Sequence, residues 1–278
     1  MEIIMDREKL KIVYTCFPGG KHKALTMSYD DGREYDRPLI EIFNRYGIRG
    51  TFHLNAGLLG GEPGRERISF DEIRELYRGH EVSCHTYTHP TIERCPLPHV
   101  VQQVIEDRKV LEAACGYPVR GMSYPNGSYS EDIKKFLPGC GIEYSRVVGD
   151  TDDFAMPRDF LEWKSTCHHT HRLMENAERF AALNKQQYLY LMYVWGHSYE
   201  FNDRNDWDLI EKFCSFIGGR DDIWYATNIE IVDYMNSAKN LKFTADSSVV
   251  YNPNAASVWL RTPDGIVEVS GGETKKLF

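Results

Sequence analysis

Apolar positions along this chain recur in two alternating rhythms. Short apolar runs read as strands: Leu25–Tyr29, Thr51–Leu54, Glu81–His85, Val119–Tyr124, Ile142–Val148 and Ile223–Thr227, with Tyr188–Val194 the most strand-like of all. Between them the spacing turns helical. Leu39, Ile42, Phe43 and Tyr46 share one face, with Pro38 in the first turn and Gly47 as a stop. Ser69 is a candidate N-cap for a helix that turns Ile73, Leu76 and Tyr77 inward. A longer helix is predicted from Pro98 to Ala114, with Val101, Val104, Ile105 and Leu111 on one side, and further helices over 131–137, 174–183, 207–217 and 229–236. Strand and helix in alternation imply βαβ units and a parallel sheet, whose ligand sites lie beyond the carboxyl ends of the strands.

The ends of the chain break this rhythm. Residues 1–24 read as a first strand at Lys11–Tyr14 and a Pro-Gly-Gly turn. From Gly149 to Thr170 the pattern is weak and polar, a long loop of the kind that carries function. Residues 241–278 alternate apolar and polar around turns at Asn252-Pro253-Asn254 and Pro263-Asp264-Gly265, which predicts two or three β hairpins. The expected organisation is an α/β domain over 1–238, with 239–278 as a β extension packed on it.

Composition narrows the classes. The formal charge of −8 argues against nucleic acid or anionic membrane as a partner, and no run has the length of a transmembrane helix. Seven cysteines without regular spacing suit a reducing compartment better than a disulfide framework. Met1–Leu10 lacks the basic start and apolar core of a secretory leader, so the expectation is a cytoplasmic protein acting on a small or oligomeric substrate. Oligomeric state is not readable.

Two segments carry candidate chemistry. Ser83-Cys84-His85-Thr86-Tyr87-Thr88-His89-Pro90 places two imidazoles four residues apart at a strand end, where Pro90 stops a helix. Two histidines are the usual start of a Zn²⁺-type site, which needs a third protein donor and an open position. Leu25–Gly32 reads as a buried strand ending in Asp30-Asp31-Gly32. Neighbouring strand residues point to opposite faces, so both carboxylates reach one target only where Gly32 frees the backbone; one can then bind a metal while the other acts as a base. The same three residues taken alone are also a common turn.

Together with Gly47-Ile48-Arg49-Gly50-Thr51-Phe52-His53, these segments in this order resemble the polysaccharide deacetylase family, also called the NodB-homology or carbohydrate esterase 4 family. The resemblance spans roughly residues 20–236. It implies a distorted (β/α) barrel of seven or eight strands and a metal-dependent hydrolase that removes an acyl group, first an N-acetyl group, from a carbohydrate. By the resemblance Asp31, His85 and His89 hold a divalent metal, Zn²⁺ with Co²⁺ or Ni²⁺ equally suited to the donors. Asp30 is then the base, the backbone N–H of Asn126 an oxyanion donor, and His197 the general acid, at a strand end in a late Leu-x-x-x-x-x-His pattern. Candidate substrate contacts are Tyr124, Pro125, Trp195, Arg146, Trp163 and His169. Where many members carry an arginine that orients the base, this chain has Ser123, with Arg120 and Arg146 as possible replacements; Asp159 with Trp163 stands for an indistinct fourth motif. Cys167-His168-His169-Thr170-His171 is read as a rim loop rather than a second metal site, and His22, His53, His80 and His99 as structural. Two rivals share the sequence features: hydrolysis of a small linear or cyclic amide at the same site, and carbohydrate binding without catalysis.

Overall fold

The structure, a computed structural model, describes residues 11–278; the reading of 1–10 lies outside the described residues. In chain order the strands are β1 (Tyr14–Cys16), β2 (Lys23–Asp30), β3 (Gly50–Leu54), β4 (Gly61–Glu62), β5 (Arg65–Glu66), β6 (Glu81–Cys84), β7 (Gly121–Ser123), β8 (Tyr144–Asp150), β9 (Trp163–Ser165), β10 (Cys167–His168), β11 (Tyr190–His197), β12 (Ile223–Tyr225), β13 (Lys242–Phe243), β14 (Val249–Tyr251), β15 (Val258–Thr262), β16 (Gly265–Val269) and β17 (Thr274–Lys276). The helices are α1 (Asp36–Arg45), α2 (Ile73–Leu76), α3 (Leu97–Cys115), α4 (Glu131–Phe136), α5 (Leu173–Ala181), α6 (Tyr199–Arg204), α7 (Trp207–Ile217) and α8 (Asn228–Asn240).

The central sheet is parallel throughout, in the order β10-β11-β2-β3-β6-β7-β8-β9. Its two ends, β9 and β10, are separated in the chain by Thr166 alone, whose N–H donates to the Tyr193 carbonyl at 2.8 Å. The ribbon therefore curls back on itself as a distorted barrel, as expected, with eight strands along its path and β12 as a ninth strand on β2. β2 is its axis: β11 pairs with all eight of its residues, while β12 and then β3 share the other edge. All eight residues of β2 are buried, the signature of a strand covered on both faces.

Local chemistry explains the elements. Ser69 and Glu72 close a reciprocal capping box before α2. Thr227 and Glu230 do the same for α8, and Gly116, at φ +82°, ends α3. The predicted polar loop 149–170 differs from expectation. It holds the end of β8 and the strands β9 and β10, which are too short to show a period in sequence. The helix α6 was likewise not anticipated.

The C-terminal residues form two small antiparallel sheets, β13-β14-β17 and β1-β15-β16. β1 thus leaves the barrel and pairs with the extension. Val250, Val258, Leu260 and Val269 bury against Phe17, Ile231 and Tyr234, continuous with Trp163, Tyr144 and Tyr193 on the barrel.

Trp163 corrects an expectation. It is fully buried, with Phe160, Tyr193 and Tyr144 ring centroids at 4.9, 5.0 and 5.7 Å, so it packs the core rather than meeting substrate. Trp163→Ala is expected to destabilise the fold by about 3–5 kcal/mol, read as a lower urea midpoint.

Candidate active site

β2 and the loop after β6 end on the same rim. Asp30 is the last residue of β2, and Asp31 then turns into the left-handed region at φ +81°, its N–H held by the His53 carbonyl at 2.9 Å. That single positive φ lets two adjacent carboxylates serve one site. Gly32 continues the turn at φ +58°, where a Cβ would meet Leu54 Cδ2 at 2.8 Å. In the His85–His89 loop both Thr86 and His89 also take positive φ, +64° and +59°.

Such a loop needs bracing, and it is heavily braced. Asn55 Nδ2 donates to the carbonyls of His85 and Thr86 at 2.6 and 2.9 Å. Gln103 of α3 accepts from the Thr88 N–H at 2.8 Å and donates to its hydroxyl at 2.8 Å. Buried Asp107 accepts the N–H groups of Ala56 and His85 at 2.7 and 3.0 Å. Burial pushes the Asp107 carboxyl up to about 7, against the lowering effect of those two N–H groups.

The result brings Asp31, His85 and His89 together: one donor atom from each lies within 4.8 Å of the others. His89 Nε2 is 3.8 Å from Asp31 Oδ1, and the two imidazole centroids are 4.7 Å apart. The donors suit a divalent cation. His85 Nδ1 faces the Ser123 carbonyl at 2.9 Å, which makes it the protonated nitrogen and leaves the Nε2 lone pair toward the carboxylates. Burial lowers the His85 imidazole to about 4, opposed by Asp30 and Asp31, so it is neutral as a ligand must be.

Asp30 is 2% exposed and remains charged there. Burial alone would raise its carboxyl. The Arg146 guanidinium, helped by His85, outweighs burial and holds it well below the carboxylate range. Arg146 of β8 is fully buried, donates to Asp30 Oδ2 and stacks over Trp195 at 4.3 Å. The Ser123 hydroxyl donates to Asp30 Oδ1 at 3.0 Å. Ser123 and Arg146 are register partners on β7 and β8, so the two positions hold the carboxylate jointly. Arg120, the other candidate, instead pairs with Glu143 and Asp233 on the outside.

His197 ends β11 as the register partner of Asp30, so the two side chains leave adjacent parallel strands on the same face. Its Nδ1 lies 3.3 Å from Glu200 Oε2. Burial lowers the His197 imidazole, but Glu200, Asp30 and Asp31 outweigh it and the net shift is upward. Beside Asp31 opens a cavity of about 790 Å³ lined by Arg33, Tyr35, Arg65, Arg67 and Tyr199.

Several sequence candidates lie elsewhere. The Tyr124 ring is buried, stacked on Tyr129, and its hydroxyl donates to the Leu161 carbonyl at 2.8 Å; Pro125 is buried too. His169, 1% exposed, stacks between Tyr29 and Phe201 and cannot touch substrate. Arg146 holds Asp30 rather than a ligand, and Trp195, 8% exposed, backs Arg146. Asp159 caps the turn before Trp163 and pairs with Lys134. Asn126 sits on the rim at φ +56°, its side chain donating to Thr91 Oγ1 at 3.0 Å. Sequence reasoning missed Glu200, Asp107 and Arg67. Only Glu200 left a signal, three residues after His197 at the start of a helix. Arg67 donates to the Asp31 carbonyl and lies 3.7 Å from its Oδ1.

Fold and site together define a parallel α/β barrel with a cluster of histidines and carboxylates on its carboxyl rim. Residues 18–145 match the family model of the polysaccharide deacetylases. The chain is 25% identical over 138 residues to a chitooligosaccharide deacetylase of Bradyrhizobium sp. (strain ANU 289), covering 49% of this chain and 60% of that protein. It is 33% identical over 146 residues to a chitin deacetylase of Arthroderma benhamiae, covering 51% of this chain and 38% of that one. A crystal structure from Mycobacterium smegmatis, of a protein assigned to the polysaccharide deacetylases, superposes with a TM-score of 0.59 over 81% of this chain and 93% of that one; at 17% identity the likeness is one of fold. The chain thus spans three fifths or less of these curated relatives.

Because Asp107 takes up the Ala56 N–H and shares the His85 N–H with the Leu54 carbonyl, Asp107→Ala is expected to cost about 1–3 kcal/mol for the Ala56 donor left unpaired. Urea unfolding of the variant measures it.

Proposed function

We propose that this chain is a metal-dependent hydrolase that removes N-acetyl groups from a carbohydrate. One observation carries the reading: Asp31, His85 and His89 offer donors within 4.8 Å of one another, with Asp30 adjacent and His197 in register beside it. The activities for which the chitooligosaccharide and chitin deacetylase relatives are named support the substrate class.

Asp31, His85 and His89 would hold the cation, with Zn²⁺ the choice for two imidazoles and a carboxylate. Bound there, such a cation supplies Lewis acidity for the acyl carbonyl and acidifies water. Asp30 takes the proton from the attacking water. Its charge is kept by Arg146, and Ser123 fixes which oxygen faces the rim. The Asn126 backbone N–H, three residues past Ser123, receives developing charge on the acyl oxygen. His197 gives its proton to the departing amine from the nitrogen not facing Glu200. Acetate and a free amine leave. Glu200 positions His197 and raises its imidazole against the lowering effect of burial, which favours the protonated form. The cavity beside Asp31 takes the sugar, with Tyr35 and Tyr199 as ring platforms and Arg33 and Arg65 as hydroxyl donors.

Asp31→Ala, His85→Ala and His89→Ala are each expected to lose both the bound metal and acetate release, measured by elemental analysis and an acetate assay on N-acetylglucosamine oligomers. Full acetate release from a metal-free variant overturns the reading. Asp30→Asn keeps the metal and loses about 10²–10⁴ in kcat.

Glu200 raises the His197 imidazole, so its removal lowers it. In Glu200→Gln the proton donor is therefore lost at lower pH, and the alkaline limb of kcat/KM moves down in pH. An unmoved limb shows that Glu200 does not tune the acid.

A further inference from the structure

Behind His197, the Glu200 carboxylate is the centre of a second cluster. Its Oε2 lies 3.0 Å from His168 Nε2, 3.3 Å from His169 Nε2 and 3.3 Å from His197 Nδ1. It also accepts the His197 backbone N–H at 3.1 Å. His168, His169 and Glu200 offer donor atoms all within 4.8 Å of one another.

His169 is the unusual member. It is 1% exposed, pressed between the rings of Tyr29 and Phe201 at 5.8 and 4.2 Å, and neither ring nitrogen has a hydrogen-bond partner. A buried imidazole without any partner is costly. Its Nε2 is close to Glu200 but out of line for a hydrogen bond, and the same holds for His197 Nδ1. The chain goes to some length to hold this ring in place. A Cβ at Gly196 would meet His169 Nδ1 at 2.0 Å, so only glycine fits opposite it. His168 is fixed as well, with Nδ1 2.7 Å from Thr170 Oγ1 and its ring edge-on to Trp195 at 4.7 Å. That leaves Nε2 facing the carboxylate.

Two imidazole nitrogens close to one carboxylate oxygen, the buried one off the hydrogen-bond line, form an arrangement that a cation between them satisfies. For metal–ligand bonds of about 2.0–2.2 Å in tetrahedral array, donors sit roughly 3.3–3.5 Å apart. The separations here, 3.0 and 3.3 Å, are near that spacing. Imidazole with carboxylate selects a Zn²⁺-class ion over Mg²⁺ or Ca²⁺.

We propose that His168, His169 and Glu200 form a second divalent-cation site that competes with His197 for the Glu200 carboxylate. The inference rests in part on the proposed role of His197. A cation held here takes the Glu200 carboxylate away from His197 and so removes the group that orients its imidazole. Excess zinc is therefore inhibitory through a built site.

The test is zinc stoichiometry at saturating free Zn²⁺ by equilibrium dialysis, with circular dichroism to confirm folding. The wild-type chain is expected to bind two ions, His168→Ala one, Asp31→Ala one, and the double variant none. Acetate release in wild type rises and then falls with zinc, and the falling limb is lost in His168→Ala. One ion in wild type, one in His168→Ala and none in Asp31→Ala overturns this inference and leaves the first site standing. One ion in wild type, retained in Asp31→Ala and lost in His168→Ala, overturns the first site instead. If His168→Ala fails to fold, Glu200→Gln removes the carboxylate donor, and retention of two ions there overturns the second site.

Discussion

A carboxylate that stays charged inside a protein needs a cation to hold it, and the Asp30–Arg146 pair is the contact on which the rest of this site depends. Both groups are almost fully buried. Each would be expensive to bury alone, and together they are tolerable only because Ser123 and the Trp195 ring complete their surroundings. The pair ties β2 to β8 across the barrel interior. It decides which of the two adjacent aspartates is withdrawn into the barrel interior, leaving Asp31 on the rim.

The same economy governs the histidine loop. Backbone turned into the left-handed region at Thr86 and His89 is unfavourable by itself, and it persists because surrounding groups over-determine it. Asn55, Gln103 and Asp107 take up the backbone groups that the loop cannot pair internally. Two of these come from α3, so a helix with no residue in the site sets the angle at which His85 and His89 face Asp31. Asp36 works similarly on the opposite side: burial raises its carboxyl to about 7, and it holds the Ser198 hydroxyl at 2.5 Å, pinning the turn just after His197.

How much was legible in the sequence differs from residue to residue. That the Asp-Asp and His-x-x-x-His segments meet was readable because each sits at a strand end, and strand ends in a parallel sheet share a rim; that Asp31 is the aspartate beside the histidines came from the family resemblance. Arg146 and Arg120 could not be ranked from spacing; one points into the barrel and one out of it, a difference set by the face each strand position presents. Tyr124, Trp163 and His169 looked like site residues because aromatic and imidazole side chains suit sugar binding. The same side chains also make good core, and here their neighbours bury them. Glu200 was overlooked because a glutamate at a helix start has an adequate local explanation.

The sequence alone determined the alternation of strand and helix, the parallel sheet and the chemistry available at its rim, since these follow from local periodicity and from motifs of a few residues. Tertiary structure alone decided which carboxylate is held inside, which arginine holds it, and which histidines gather beside Asp31 rather than in the core. It also joined β1 to the C-terminal strands, and placed Glu200 among three imidazoles. Those outcomes depend on contacts between residues tens to hundreds of positions apart, and no local pattern encodes the distance between them.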